Sequence, residues 1–527
     1  MSLQGYIQDF NASLACDSTG DARTALERLQ MYNFVQITSF MPPELITRCI
    51  CTLSAMSPQM RLNAETLVNY PEAGKTCGRV VGRENHLAYG IEALGTSETL
   101  PRLKLSLWWA ERCGLPLSLT VDNADNDMLK LLPNSMRDRV EELNVYTSSG
   151  AVYAPNRTPE SDGQRGTFLS SLLTFPNITK LSILCREGCE TSRDVADVNR
   201  ALRVAAQMTI SEIQVTGFKQ LSDFSALEGS QHLRHLKATR CGIRSVAELV
   251  SCPMLTDLDV SNNRHLQSVS DLAGAPRLTI LVAKNCNLQN LDGLDSFPNL
   301  LKLDVSGNDS VESLHGLAGA ESLEELAVNH CKRLCNVDGL NSCQQLGEVD
   351  VSYNEILEDV SGLAGAPSLR ILNAKGCRLR NVAGLNGCPL LSEIYISDNV
   401  SLEDLSGLGG APSLRVIKAS ECVISCIDGL NRCPLLSEID ISLNDVLKNL
   451  SGLAGAPALR IIKASECGLR SVGDLYRCPR LAELDVSLNR HLVNVDDLAL
   501  SPSLRRLTLY GTNCTRARFL NSSIVLQ

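Results

Sequence analysis

Two apolar frames alternate along most of this chain. One reads L-x-x-L-x-A-x-x-C and starts at Leu369, Leu414 and Leu459; the other reads L-x-x-apolar-x-[VI]-S-x-N and starts at Leu255, Leu300, Leu346, Leu391, Leu436 and Leu481. Counting starts from Ile210 to Leu504 gives fourteen coils, alternately 23 and 22 residues long, with one extra residue near Lys332. The repeating unit is a pair of coils. Within each frame the apolar residues alternate as on a strand, so one face turns inward and the other to solvent. A second apolar set, such as Leu402, Leu405 and Leu408, lines the interior from the returning segment. One coil cannot enclose its own apolar residues, each worth about 1.5–3 kcal/mol when buried, so coils must stack. Gly407, Gly429 and Gly452 precede a buried Leu, where a positive φ is expected, and Pro389, Pro412, Pro434 and Pro457 restart the next coil.

These frames, from residue 208 to 514, resemble the leucine-rich repeat family, in which every coil adds one short strand to a parallel sheet on the concave side of a horseshoe. Coils this short resemble those of a protein phosphatase regulator and of bacterial internalins, whose convex side carries tight turns. The phrase GLAGAPSLR also resembles leucine-rich proteins of trypanosomatid protozoa. The resemblance implies an α/β leucine-rich repeat solenoid, horseshoe or arc, with a concave parallel sheet, short convex turns and a helical N-terminal cap.

At the end of each strand one position alternates with coil type: Cys241, Asn263, Cys286, Asn308, Cys331, Asn354, Cys377, Asn399, Cys422, Asn444, Cys467 and Asn489, then Thr512. In the family this residue turns inward and satisfies loop carbonyls, a structural ladder without catalytic role. Consecutive ladder cysteines are two coils apart. At about 4.8 Å per strand they lie near 9.6 Å, beyond the roughly 7 Å a disulfide tolerates. The column Cys343, Cys388, Cys433 and Cys478 reads the same way, as small buried thiols. Cys49 with Cys51 and Cys185 with Cys189 have no matching second pair or nearby His for zinc. Sequons at Asn308 and Asn399 overlap the inward ladder, where a glycan does not fit. Reduced thiols and the lack of an apolar signal core or bilayer-length run point to the cytoplasm.

The outward strand positions form columns. One runs Lys237, Asp259, Val282, Asp304, Ala327, Asp350, Asn373, Tyr395, Lys418, Asp440, Lys463, Asp485; its last four can neutralise one another across strands. A second alternates acid with aliphatic: Glu348, Ile371, Glu393, Val416, Glu438, Ile461, Glu483. Such stripes suit a partner with basic and apolar side chains. Aromatic residues carry much of the energy at interface centres. The candidate protein-binding patch is therefore Asp350, Tyr353, Glu393, Tyr395 and Asp398, with His330 on its flank and Lys418 and Asp440 beyond.

Upstream, residues 101–207 carry degenerate coils at PLSLTV (Pro116), VEELNVY (Val140) and ITKLSIL (Ile178), with a polar insertion near 146–166. Residues 1–100 read as a mostly helical cap covering the first strand, on the strength of DARTALERLQMY and PPELITRCICTLSAM; residues 515–527 form a C-terminal tail. Met41, Pro42, Glu44, Leu45, Cys49 and Leu53 resemble the opening of an F-box, which implies a substrate adaptor of a cullin ubiquitin ligase.

A net charge of −10 over 527 residues, with pI near 5.4, argues against nucleic acid and anionic membranes as partners. No metalloprotease or hydrolase motif occurs. EAGKTCG at Glu72 lacks the first phosphate-loop Gly, replaced by Asn69. The expectation is a non-enzymatic scaffold, without cofactor or metal, that binds a protein on its concave face. Phosphatase regulation and ubiquitin-ligase adaptation are the alternatives.

Overall fold

A computed structural model describes residues 78–82, 87–93, 116–122, 132–147, 168–185, 192–273, 275–514 and 525–526. The expected helices before residue 57, the F-box-like segment at 41–53 and most of the polar insertion lie outside these residues. The chain divides into two compact units, 1–221 with 230–237, and 222–229 with 238–527.

In the first unit, β1 (Gly78–Gly82) pairs antiparallel with β2 (Leu87–Ala93). Parallel pairing then runs from β2 through β3 (Leu117–Asp122), β4 (Val140–Thr147) and β5 (Lys180–Cys185) to β6 (Glu212–Thr216). The upstream frames at Pro116, Val140 and Ile178 thus form strands, and parallel pairing begins before residue 100. The short helix α1 (Asn134–Arg137) precedes β4. Between β5 and β6 the chain returns through α2 (Ser192–Ala205), where Val198, Ala201, Leu202 and Ala205 recur at helical spacing and are buried. A returning helix was not read from the sequence, although this spacing announces it. The strand β1 begins at the last residue of the Glu72–Gly78 motif, whose other residues lie outside the described ones.

The strand β7 (His235–Thr239) leads into the second unit. There twelve three-residue strands run from β8 (Asp257–Asp259) to β19 (Arg506–Thr508). Those that carry the site are β10 (Lys302–Asp304), β11 (Glu325–Ala327), β12 (Glu348–Asp350), β13 (Ile371–Asn373) and β14 (Glu393–Tyr395). They continue as β15 (Val416–Lys418), β16 (Glu438–Asp440), β17 (Ile461–Lys463) and β18 (Glu483–Asp485). Every neighbouring pair among these is parallel and in register, Glu348 beside Ile371 and Ile371 beside Glu393. The two-residue strand β20 (Val525–Leu526) pairs with β19. The middle residue of each strand is buried; its two neighbours form the outward columns.

The convex side carries 3₁₀ turns such as Ser361–Leu363, Ser406–Leu408 and Leu430–Arg432. Gly429 has the expected positive φ, 85°. Gly407 and Gly452 do not, and their requirement is steric. A Cβ on Gly407 would stand 2.5 Å from the Val382 carbonyl oxygen of the preceding coil, and Gly452 meets Ile427 in the same way. Backbone approach, not handedness, excludes a side chain there.

Candidate functional site

The two coil types differ in how they close the loop after the strand. In the Asn coils the amide nitrogen of Asn444 donates to Ala419 O at 3.0 Å and to Ile441 O at 2.8 Å. Asn263, Asn308, Asn354, Asn399 and Asn489 repeat this pair of bonds and are all buried. The loop then closes on itself, with Leu447 N–H donating to Asn444 O. In the Cys coils the thiol donates to the preceding coil, as Cys422 does to Ile396 O at 3.4 Å; Cys286, Cys331, Cys377 and Cys467 do likewise. These loops are one residue shorter and cannot make the local turn. Their N–H is received instead by the next Asn: Ile424 N–H donates to Asn444 Oδ1, Leu379 to Asn399 and Leu288 to Asn308. The 22/23 alternation is thereby explained. So is the extra residue near Lys332, because the Cys331 coil closes locally, Leu334 N–H to Cys331 O, as Asn coils do.

Burial pushes the thiols of Cys286, Cys331, Cys377, Cys422 and Cys467 up to about 11. The thiols of Cys343, Cys388, Cys433 and Cys478 donate to carbonyls at 3.2–3.3 Å and are raised by burial too. No disulfide joins any two of the described cysteines. No group of three or more His, Cys, Asp or Glu among the described residues could hold a metal ion.

Just before each ladder residue the backbone is left-handed. His330 (φ 58°), Tyr353 (57°), Gly376 (66°), Asp398 (60°), Glu421 (58°), Leu443 (60°), Glu466 (51°) and Leu488 (59°) form this rim column. A left-handed residue with a side chain costs about 1–2 kcal/mol. Gly and Asp are suited to it; Tyr, Leu and Glu are not, and the rim nonetheless carries them. Tyr353, 41% exposed, stacks on His330 with ring centres 4.7 Å apart and planes 11° from parallel. Its other edge lies over Gly376, where a Cβ would meet the ring at 2.6 Å.

The predicted patch residues fall on two surfaces. Tyr353, His330 and Asp398 belong to the rim; Asp350, Glu393, Tyr395, Lys418 and Asp440 stand on the strands. A 480 Å³ groove crosses β10 to β14, lined among others by Lys302, Asp304, Glu325, Glu348, Asp350, Ile371, Lys375 and Tyr395, with Ala327 giving it depth. Sequence reading put Asp350 and Tyr395 in the candidate patch and Glu348 in an outward acidic column, but gave Ala327 no role; the small residue between two aspartates in one column was the signal available.

Most charges in the groove have partners. Lys302 pairs with Glu325 at 2.5 Å, Lys284 with Asp304 at 2.6 Å, and Lys375 with Asp398 at 3.1 Å. Asp350 accepts from Ser352 and from Asn329. Tyr395 donates its hydroxyl to Glu393 at 2.5 Å, and that bond pushes its phenol up to about 12. Glu348 stands directly beside Glu325 on the neighbouring strand, and the Lys302 ammonium paired with Glu325 is attracted to Glu348 as well. Like charges opposite one another are destabilising. Farther along, Lys418 pairs with Glu438 diagonally, and not with Asp440 straight across.

No protein-family model matches the chain, and no curated protein matches it. Its fold does match solved structures. The Drosophila Toll–Spatzle complex aligns at 14% identity with TM-score 0.58, over 86% of this chain and 63% of that one. The mouse RP105/MD-1 complex aligns at 16% identity with TM-score 0.51, over 81% and 76%. An internalin (inlF) of Listeria monocytogenes aligns at 19% identity with TM-score 0.48, over 63% and 94%. Repeating frames, parallel strands and buried ladder together make this chain a leucine-rich repeat solenoid.

Proposed function

We propose that this protein is a non-enzymatic scaffold that binds a protein partner on the outward face of β10–β18, centred on the groove. The observation that carries this reading is the groove itself, crossing five strands with Tyr395 at one end and the adjacent carboxylates of Glu325 and Glu348 sharing Lys302 in its wall. Ordered carboxylates beside aliphatic and aromatic side chains favour a partner with basic and apolar groups. The strands β8 to β19 make eleven steps of about 4.8 Å, a sheet long enough for an interface of ordinary size. The solved Toll and RP105 structures are complexes with a protein, Spatzle and MD-1, which supports the same kind of partner here.

Affinity purification of the full chain with mass spectrometry tests the proposal. Capture should fall when Tyr353 and Tyr395 are both changed to Ala. An unchanged partner set in that variant would overturn the site. Recovery of a cullin and its small adaptor, or of a phosphatase catalytic subunit, would instead support one of the two alternatives.

A further inference from the structure

Resting on that reading, we infer that the partner presents an extended polyproline-II segment with a basic residue at every third position, laid across the strands. The argument is one of matching periods. From β12 to β18, along the column that alternates acid with aliphatic, acids sit on the Asn coils and aliphatics on the Cys coils: Glu348, Glu393 and Glu438 alternate with Ile371, Val416 and Ile461. Hydrogen bonding between strands fixes their spacing, so like residues recur every two coils, about 9.6 Å.

A polyproline-II helix has three residues per turn at about 3.1 Å each, so its rows repeat at about 9.3 Å. From Glu348 to Glu483 the face spans three repeats, about 29 Å, against about 28 Å for three such turns. Two turns of an α-helix advance about 10.8 Å and would drift by about 3.6 Å over the same span. A β-strand repeats its facing side chains every 6.4–6.8 Å or so and loses phase within one repeat. Only the three-residue helix stays in step. Its basic row then faces the glutamates, joining Lys418 on Glu438 and Arg506 on Glu483, and the intervening rings fall over Ile371, Val416 and Ile461. Tyr395, its hydroxyl anchored on Glu393, supplies the aromatic wall that such segments favour.

The test uses the full-length protein and fluorescence anisotropy with three labelled peptides of five lysines each: (Lys-Pro-Pro)₅, (Lys-Pro)₅ and (Lys-Pro-Pro-Pro)₅. The first should bind at least about tenfold more tightly than either of the others. Glu348→Gln and Glu393→Gln, both at half-buried outward positions, should each weaken it several-fold, and together more. Equal affinity for the three peptides, or indifference to both substitutions, overturns the inference. Partner capture by Tyr395→Ala separates the two proposals. If Tyr395→Ala abolishes capture while the peptides are not distinguished, the outward face remains the binding surface and the extended segment falls.

Discussion

Asn444 receives the backbone N–H of Ile424, twenty residues earlier in the preceding coil, on its amide oxygen at 2.9 Å. The same side chain donates to Ala419 O and Ile441 O, so one residue closes the loops of two coils. Asn444→Ala should orphan all three groups at about 1–3 kcal/mol each and cost at least about 2 kcal/mol. Asn444→Cys restores a donor but no acceptor, and should fall between. Urea unfolding decides it: an Ala variant within about 1 kcal/mol of the parent contradicts the role assigned to the ladder.

Two kinds of glycine requirement should respond differently to asparagine. At Gly410 φ is 79° and the space is open, so Gly410→Ala should destabilise while Gly410→Asn comes close to neutral. At Gly407 the obstacle is the Val382 carbonyl, and Ala and Asn should both cost about 1–3 kcal/mol. Rescue of Gly407 by Asn would mean that handedness, not contact, governs the site.

The buried thiols make stability depend on alkaline pH. Their folded-state values lie at about 11, above the ordinary value of 9.0, so the native protein holds protons that the unfolded chain releases. Their contribution is complete below pH 9 and declines as pH rises from about 9 to 11. Unfolding midpoints should therefore drop across that window. At pH 8, mass-spectrometric mapping of alkylation should find the exposed Cys335 modified well before Cys377 or Cys422.

Leu443 is 39% exposed in left-handed backbone. Leu443→Asn should raise stability, by up to about 1 kcal/mol, because asparagine tolerates that conformation and little burial is lost. If the rim serves the partner, the same change should weaken capture. A destabilised Asn variant would show that Leu443 is retained for packing.

Where local pattern and tertiary demand coincide, the sequence is readable. The period of 22 and 23 residues and the strands follow from apolar spacing, the parallel sheet from the resemblance to leucine-rich repeats, and Asn263 to Asn489 stand in the buried row at the strand ends. The left-handed rim was not legible, because Tyr353, Leu443 and Glu466 are not residues that announce such a conformation. Gly407 and Gly452 gave the right residue for the wrong reason, since a clash with another coil leaves no local trace. The groove was half visible. Tyr395 and Asp350 stand out by type, whereas the role of Ala327 comes from what surrounds it. The helix α2 was overlooked because strand frames flank it on both sides.

The division of labour between coil types sets a rule for inheritance. A short coil depends on the asparagine that follows it, as Leu469 depends on Asn489, while a long coil is self-sufficient. Duplicating a single short coil would place a cysteine where the first copy needs an amide oxygen, stranding an N–H in the interior. Duplicating a couple leaves every donor provided for. Such a molecule lengthens by twos, and even the Cys331 coil, which closes its own turn, gives its Cys331 N–H to Asn354 Oδ1 and so stays tied to the long coil that follows.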